Sequence, residues 1–137
     1  MAEIEYRTQT PDPCIFFALF ETTGWNERYG VTCAAMAQVL ENSWYTLSAY
    51  DRDRLIGFGR LVCDGVMHAM IFDLIVHPDY QSHGIGSEIL RRLVKRCRAC
   101  GIRDVQLFAA RDKQSFYERH GFHARPSDAS GMGLHVE

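Results

Sequence analysis

Apolar and polar positions alternate over residues 4–8, IEYRT, and predict a short strand. Beyond Asp12, Pro13 takes the favoured first-turn position of a helix, and the apolar run that follows carries it to about Thr22. Gly24-Trp25 breaks that pattern. Residues 32–43 read as a second helix, with Thr32 as its cap and an alanine-rich start. Three apolar runs then follow in succession, 44–50, 54–64 and 66–77. The turn DRD at 51–53 makes the first two a hairpin. Gly57 and Gly59 inside its second strand suggest a bulge or a close backbone approach.

The period changes at Gly84. Ile85, Ile89, Leu90, Leu93, Val94 and Cys97 share one side of a helix, and Arg91, Arg92, Lys95, Arg96 and Arg98 take the other. Gly101 stops it. Residues 104–110 predict a strand, 112–120 a helix ended by Gly121, and FHARP and GLHVE two last strands. The order β-α-α-β-β-β-α-β-α-β-β predicts one mixed α/β domain, residues 1–137, around a central sheet.

Composition narrows the class. At 47% apolar residues the chain can bury a substantial core. No run reaches the length of a membrane span and no signal pattern opens the sequence, so a soluble cytoplasmic protein is expected. Five cysteines at irregular spacing do not suggest a disulfide framework. Cys97 and Cys100 form a C-x-x-C near a helix end, without a second pair of ligands; structural thiols are expected there, and no metal.

The net charge of -2 hides an asymmetry: eleven acids against five bases in residues 1–80, four against ten in 81–125. The basic excess lies mostly on the exposed side of one helix. No aromatics interleave with it in sequence, so a solvated face is expected rather than a nucleic-acid surface.

The most informative stretch is QSHGIG, residues 81–86, between a long strand and a strong helix. A helix start carries unpaired N–H groups and partial positive charge, and glycines there admit a ligand to the backbone. The combination reads as a phosphate cradle. It is not the dinucleotide fingerprint, which needs glycine where Ile89 stands, and no Gly-Lys-Ser/Thr follows to make a P-loop. Alone, a G-x-G is also compatible with a plain tight turn.

The longer string DLIVHPDYQSHGIGSEIL resembles the acetyl-CoA motif of the GNAT superfamily, the Gcn5-related N-acetyltransferases. Leu74, Val76, Pro78, Tyr80, Gln81, Gly84 and Gly86 stand in register with its pattern, and SFYERHGF resembles a second motif downstream. Within the superfamily the chain looks most like small bacterial members related to plastid-type serotonin (arylalkylamine) N-acetyltransferases. The resemblance implies the GNAT fold: a mixed central sheet with two splayed parallel strands, flanked by about four helices. It also implies a homodimer.

It further implies that the backbone of Leu74, Ile75 and Val76 holds the pantetheine arm of acetyl-CoA. Beyond Gln81, the main chain of Ser82, His83, Gly84, Ile85, Gly86 and Ser87 would hold the pyrophosphate. Many members carry an asparagine before the second-motif helix; here Arg111 and Lys113 stand in that region, as candidate cations for CoA phosphates or as a solvated helix start.

Tyr117 matches the tyrosine that many members use to protonate the departing thiolate. A phenol suits that task; the alternative is a packed aromatic like Phe116. Asp73 is the best-placed group to deprotonate the substrate ammonium, directly or through water, or to bind it; the alternative is a strand carboxylate paired with an arginine. His77 and His83 in the turn, and Glu21, Glu27, Trp25, Tyr29 and Trp44 earlier in the chain, are looser candidates.

Three functions remain open on this reading. The first is acetyl transfer from acetyl-CoA to a primary amine of a small molecule in a ternary complex. The second is a protein or peptide N-acetyltransferase. The third is a non-catalytic acyl-CoA-binding domain.

Overall fold

The computed structural model describes residues 3–137, in two compact units that divide after Leu107. In the first, β1 (Ile4–Arg7), β2 (Tyr45–Asp51), β3 (Arg54–Cys63), β4 (His68–Val76) and β5 (Asp104–Leu107) form one sheet in the order β1-β2-β3-β4-β5. All pairs are antiparallel except β4–β5. A parallel pair needs a crossover, and α4 (Ile85–Ala99) supplies it.

Before the hairpin come α1 (Pro13–Glu21), α2 (Asn26–Tyr29) and α3 (Met36–Glu41). The α1 start follows its sequence signal: Asp12 accepts from the N–H groups of Cys14 and Ile15 at 2.9 and 3.1 Å, with Pro13 in the first turn. The short α2 has no sequence period to announce it. It ends at Gly30, φ 65°, and Asn26 closes the loop with a pair of bonds to the Val31 backbone at 2.8 and 3.0 Å. The helix expected over 32–43 is shorter, because Thr32 caps a turn that precedes α3 (Ala35 N–H to Oγ1, 3.2 Å).

Neighbouring residues on β3 point to opposite faces of the sheet. Phe58 joins Phe16, Leu19, Phe20, Met36, Leu40, Leu55 and Ile75 in the core under α1 and α3. Gly57 and Gly59 lie under α4, whose Ile85, Ile89, Leu90, Leu93 and Cys97 are buried as the helical period predicts. A Cβ on Gly59 would stand 2.9 Å from both Ile89 Cγ2 and Leu93 Cδ1. These glycines therefore set how closely α4 approaches the sheet, which is the close approach their positions suggest.

Cys14 and Cys33, 19 residues apart, form a disulfide with Cα atoms 5.0 Å apart. The odd count and irregular spacing gave no reason to expect a bridge. The two residues meet because α1 packs against α3, a tertiary contact that cysteine spacing does not encode. Cys97 is buried, and Cys63 and Cys100 are free thiols. No group of three or more His, Cys, Asp or Glu among the described residues is arranged to hold a metal, and no helix among them is long and apolar enough to cross a membrane.

The second unit, Phe108–Glu137, contains α5 (Gln114–Glu118) and a 3₁₀ turn at Ser127–Ala129. Gly121, φ 89°, follows the α5 end, where the Phe122 N–H donates to the Tyr117 carbonyl at 3.2 Å. The two last strands expected from FHARP and GLHVE do not form among the described residues. Leu134 and Val136 are 89% and 79% exposed.

Candidate acyl-CoA site

The strand leading to the site is bent by one extra residue. Phe58 pairs with Ile75, but Arg60 pairs with Phe72, so β4 advances three residues where β3 advances two. The bulge places Asp73 in the left-handed region, φ 54°, a conformation that Asp tolerates better than most residues. Its carboxylate Oδ2 accepts from Arg60 Nε at 2.7 Å. Arg60 is held further by Ser43 Oγ at 3.3 Å and by the Phe72 ring, 5.4 Å from its guanidinium carbon. Both charged side chains are largely buried, 16% and 19% exposed.

The same bulge falls where the sheet opens. The β4–β5 ladder ends at Ile71↔Leu107, while β4 continues to Val76. From Phe72 to Val76 no β5 residue pairs with that edge. Ile75 turns its side chain into the core, 3% exposed, so at this position the edge offers its main chain.

The strand then passes into a turn at Pro78–Tyr80 and the loop to α4. Three contacts tie this turn to the sheet. His77 N–H donates to the Ile56 carbonyl at 2.8 Å, Gln81 Nε2 donates to the Val76 carbonyl at 3.1 Å, and the Tyr80 hydroxyl donates to Asp51 Oδ2. That last bond, beside an anionic partner, pushes the Tyr80 phenol above its ordinary pKa. His77 Nδ1 accepts from Asp79 N–H at 3.1 Å, and its Nε2 lies 3.2 Å from Arg54. The turn histidine is thus occupied in shaping the turn.

Two left-handed residues, Ser82 (φ 65°) and Gly84 (φ 78°), then curl the backbone into the helix. Nothing lies within 4 Å of where a Gly84 Cβ would sit. The glycine is therefore required by its φ, and it leaves open space over the helix start. The first intrahelical bond is Glu88 N–H to the Gly84 carbonyl, 3.1 Å, so the N–H groups of Ile85 and Gly86 head α4 without an intrahelical acceptor. The residues from Gln81 to Gly84 are exposed, and His83 Nδ1 sits 2.8 Å from the Gln81 carbonyl. The arrangement is a concave run of main chain beside an open strand edge, with a positive helix end at its floor.

Within the first unit, the structure brings Leu74, Ile75 and Val76 onto the open edge and Gln81 to Ser87 into the cradle that follows. Asp73 lies at the bulge. Asp73 has the arginine partner of its alternative reading; which arginine it is, and the Ser43 and Asp51 contacts that fix the bulge and the turn, only the folded chain discloses. Of the looser candidates, Trp25 is half-buried against the α1 core, Tyr29 is 62% exposed, and Trp44 faces Arg96.

In the second unit, Tyr117 is half-buried on α5, its ring 5.0 Å from Phe116 and 6.0 Å from Phe122. Burial pushes its phenol above the ordinary value, which keeps it protonated and able to donate. Arg111 is exposed in the turn before α5.

Comparison with known proteins agrees with this geometry. The model of the acetyltransferase (GNAT) domain matches residues 42–124, and the chain belongs to that family. Among curated relatives, the protein named uncharacterized N-acetyltransferase ycf52 of Pyropia yezoensis is 31% identical over 118 residues, 83% of this chain and 66% of that protein. The chain spans about half to two-thirds of the length of the first curated relatives it matches. Among solved structures, a GNAT family acetyltransferase of Streptococcus pneumoniae superposes with a TM-score of 0.82 at 28% identity, covering 98% of each chain. An N-acetyltransferase of Thermoplasma acidophilum, solved in complex with coenzyme A, shares the fold at 22% identity, with a TM-score of 0.72 over 93% of this chain and 94% of its own.

Proposed function

We propose that this chain transfers an acetyl group from acetyl-CoA to a primary amine of a small molecule, within a ternary complex. One observation carries the reading: an open β4 edge from Phe72 to Val76 runs into a glycine-relieved cradle at the head of α4. An extended amide-bearing arm ending in a pyrophosphate matches that sequence of main-chain groups. The Thermoplasma relative's complex with coenzyme A supports the same cofactor. The residues present fit the group: main chain of β4 left unpaired by β5 along the arm, N–H donors at the phosphates, and no side chain over Gly84.

When bound, acetyl-CoA supplies an activated thioester. The chain's own residues do the rest. The main chain of Leu74 to Val76 orients the arm, and the N–H groups from Ser82 to Ser87 hold the pyrophosphate. Arg111 is the proposed further cation for the CoA phosphates. An amine is nucleophilic only once its ammonium has lost a proton. Asp73, with Oδ2 committed to Arg60, attracts that ammonium and takes its proton through water. Tyr117 donates the proton that the departing thiolate needs. The family resemblance adds a homodimer to the proposal.

The test is thiol release from acetyl-CoA against a panel of arylalkylamines, alkylamines and lysine-containing peptides. Turnover with small amines and none with peptides is expected. Turnover confined to peptides would move the acceptor to protein, and tight CoA binding with no turnover on any amine would reduce the chain to a CoA-binding domain.

A further inference from the structure

The basic side of α4 is not simply a solvated face. It forms one wall of a groove of about 470 Å³ whose other wall is Tyr6 and Thr8 at β1 and Tyr45 on β2. Arg91, Arg92, Lys95 and Arg96 line it together. The aromatics missing from the helix sequence come from the strands instead. The Arg92 guanidinium carbon lies 4.4 Å from the Tyr6 ring centre, and that of Arg96 lies 5.2 and 5.4 Å from Tyr45 and Trp44.

Stacking holds a guanidinium by its face and leaves the N–H donors at its rim. Two arginines of this groove are held in that way. Among the described residues, a single carboxylate pairs with these cations: Glu88 accepts from Arg92 Nε at 2.6 Å and from Arg91. Among the described residues, neither Lys95 nor Arg96 has a carboxylate within ion-pair distance. The groove therefore carries excess positive charge in a preorganised frame. Its volume falls in the range of small-molecule sites.

We infer that the groove between α4 and the β1–β2 edge is a binding site for a small multivalent anion of the phosphate class, separate from the cradle at the head of α4. Lys95 stands eleven residues beyond Gly84, about 16 Å along the helix at its usual rise. One ligand pyrophosphate cannot occupy both places. The short basic track and the acidic charge of residues 1–80 favour a compact anion over an extended nucleic acid, which would need a longer one.

Calorimetric titration of inorganic tripolyphosphate into protein saturated with CoA tests the site. One binding event per chain is expected, weakened at least tenfold in Lys95→Glu/Arg96→Glu, with CoA affinity unchanged. Lys95→Met alone, which leaves both stacked arginines in place, should weaken it about threefold and serves if the double variant fails to fold. Three results would overturn the inference: unchanged tripolyphosphate affinity in these variants, loss of the site on CoA saturation, or preferential binding of a single-stranded oligonucleotide with a steep salt dependence.

Discussion

Arg60 on β3 and Asp73 on β4 form a part-buried ion pair across the bulge, Nε to Oδ2 at 2.7 Å. The pair does two things at once. It neutralises an arginine that Ser43 and Phe72 hold in place, and it fixes the carboxylate proposed to receive the amine. Asp73→Asn should cost about 2–3 kcal/mol of stability, because it leaves a buried charge uncompensated. Adding Arg60→Met to that variant should recover part of the loss. Urea unfolding of the two variants gives both numbers, and equal losses would mean the pair is not coupled.

Tyr117 should reveal itself through kcat rather than KM. Tyr117→Phe keeps the ring contacts with Phe116 and Phe122 but removes the proton, and a loss of about 100-fold in kcat is expected. Burial raises the phenol, so its donating form persists past pH 10. The wild-type rate should fall only above that pH, and the fall should be missing in Tyr117→Phe. A pH–rate profile of both proteins checks it.

The cradle makes a separable prediction. Gly84 has φ 78° with open space around it, so Gly84→Ala strains the backbone without a clash. A stability loss of about 1–2 kcal/mol is expected, together with a several-fold rise in KM for acetyl-CoA and little change in KM for the amine. Steady-state kinetics with each substrate varied in turn distinguishes the two.

Cys97, buried under α4, has its thiol pushed up to about 11 by burial, with smaller contributions from the neighbouring Cys63 and Cys100. In the unfolded chain the same thiol ionises near 8.5. Stability from this group is thus complete below about pH 8.5 and drains away as pH rises through 11. Cys97→Ala should lower stability by about 1–2 kcal/mol at neutral pH and flatten the alkaline decline. Unfolding midpoints between pH 7 and 11 measure both effects.

Periodicity carried much of this architecture. All five strands and the burial of Ile85, Ile89, Leu90, Leu93 and Cys97 follow from apolar spacing, because α4 lies against the sheet along its whole length. The cradle was legible because its chemistry is local: a strand end, two glycines and a helix start lie adjacent in sequence. What escaped depends on which residues meet across space. The Arg60 partner of Asp73 follows from a one-residue register shift, and the Cys14–Cys33 bridge from helix packing. The tyrosines beside the basic helix come from distant strands, Tyr45 meeting Arg96 and Tyr6 meeting Arg92. The last two strands failed for the opposite reason, since a short alternating run is by itself only a tendency.

Gly59 lies under α4, outside the proposed cofactor site, and Gly59→Ala should still be felt there. The new methyl would overpack Ile89 and Leu93 and cost about 1–3 kcal/mol. Part of that strain should surface as weaker acetyl-CoA binding, readable by calorimetry on the folded variant.

The bare backbone at Gly57 and Gly59 is the seat on which α4 rests, and the head of α4 is the anchor proposed for the phosphates. On that proposal cofactor affinity is held partly in strand β3, in how deep one helix sits. Substitutions there would act like a shim under a bearing, moving the anchor while every residue that meets the cofactor stays the same.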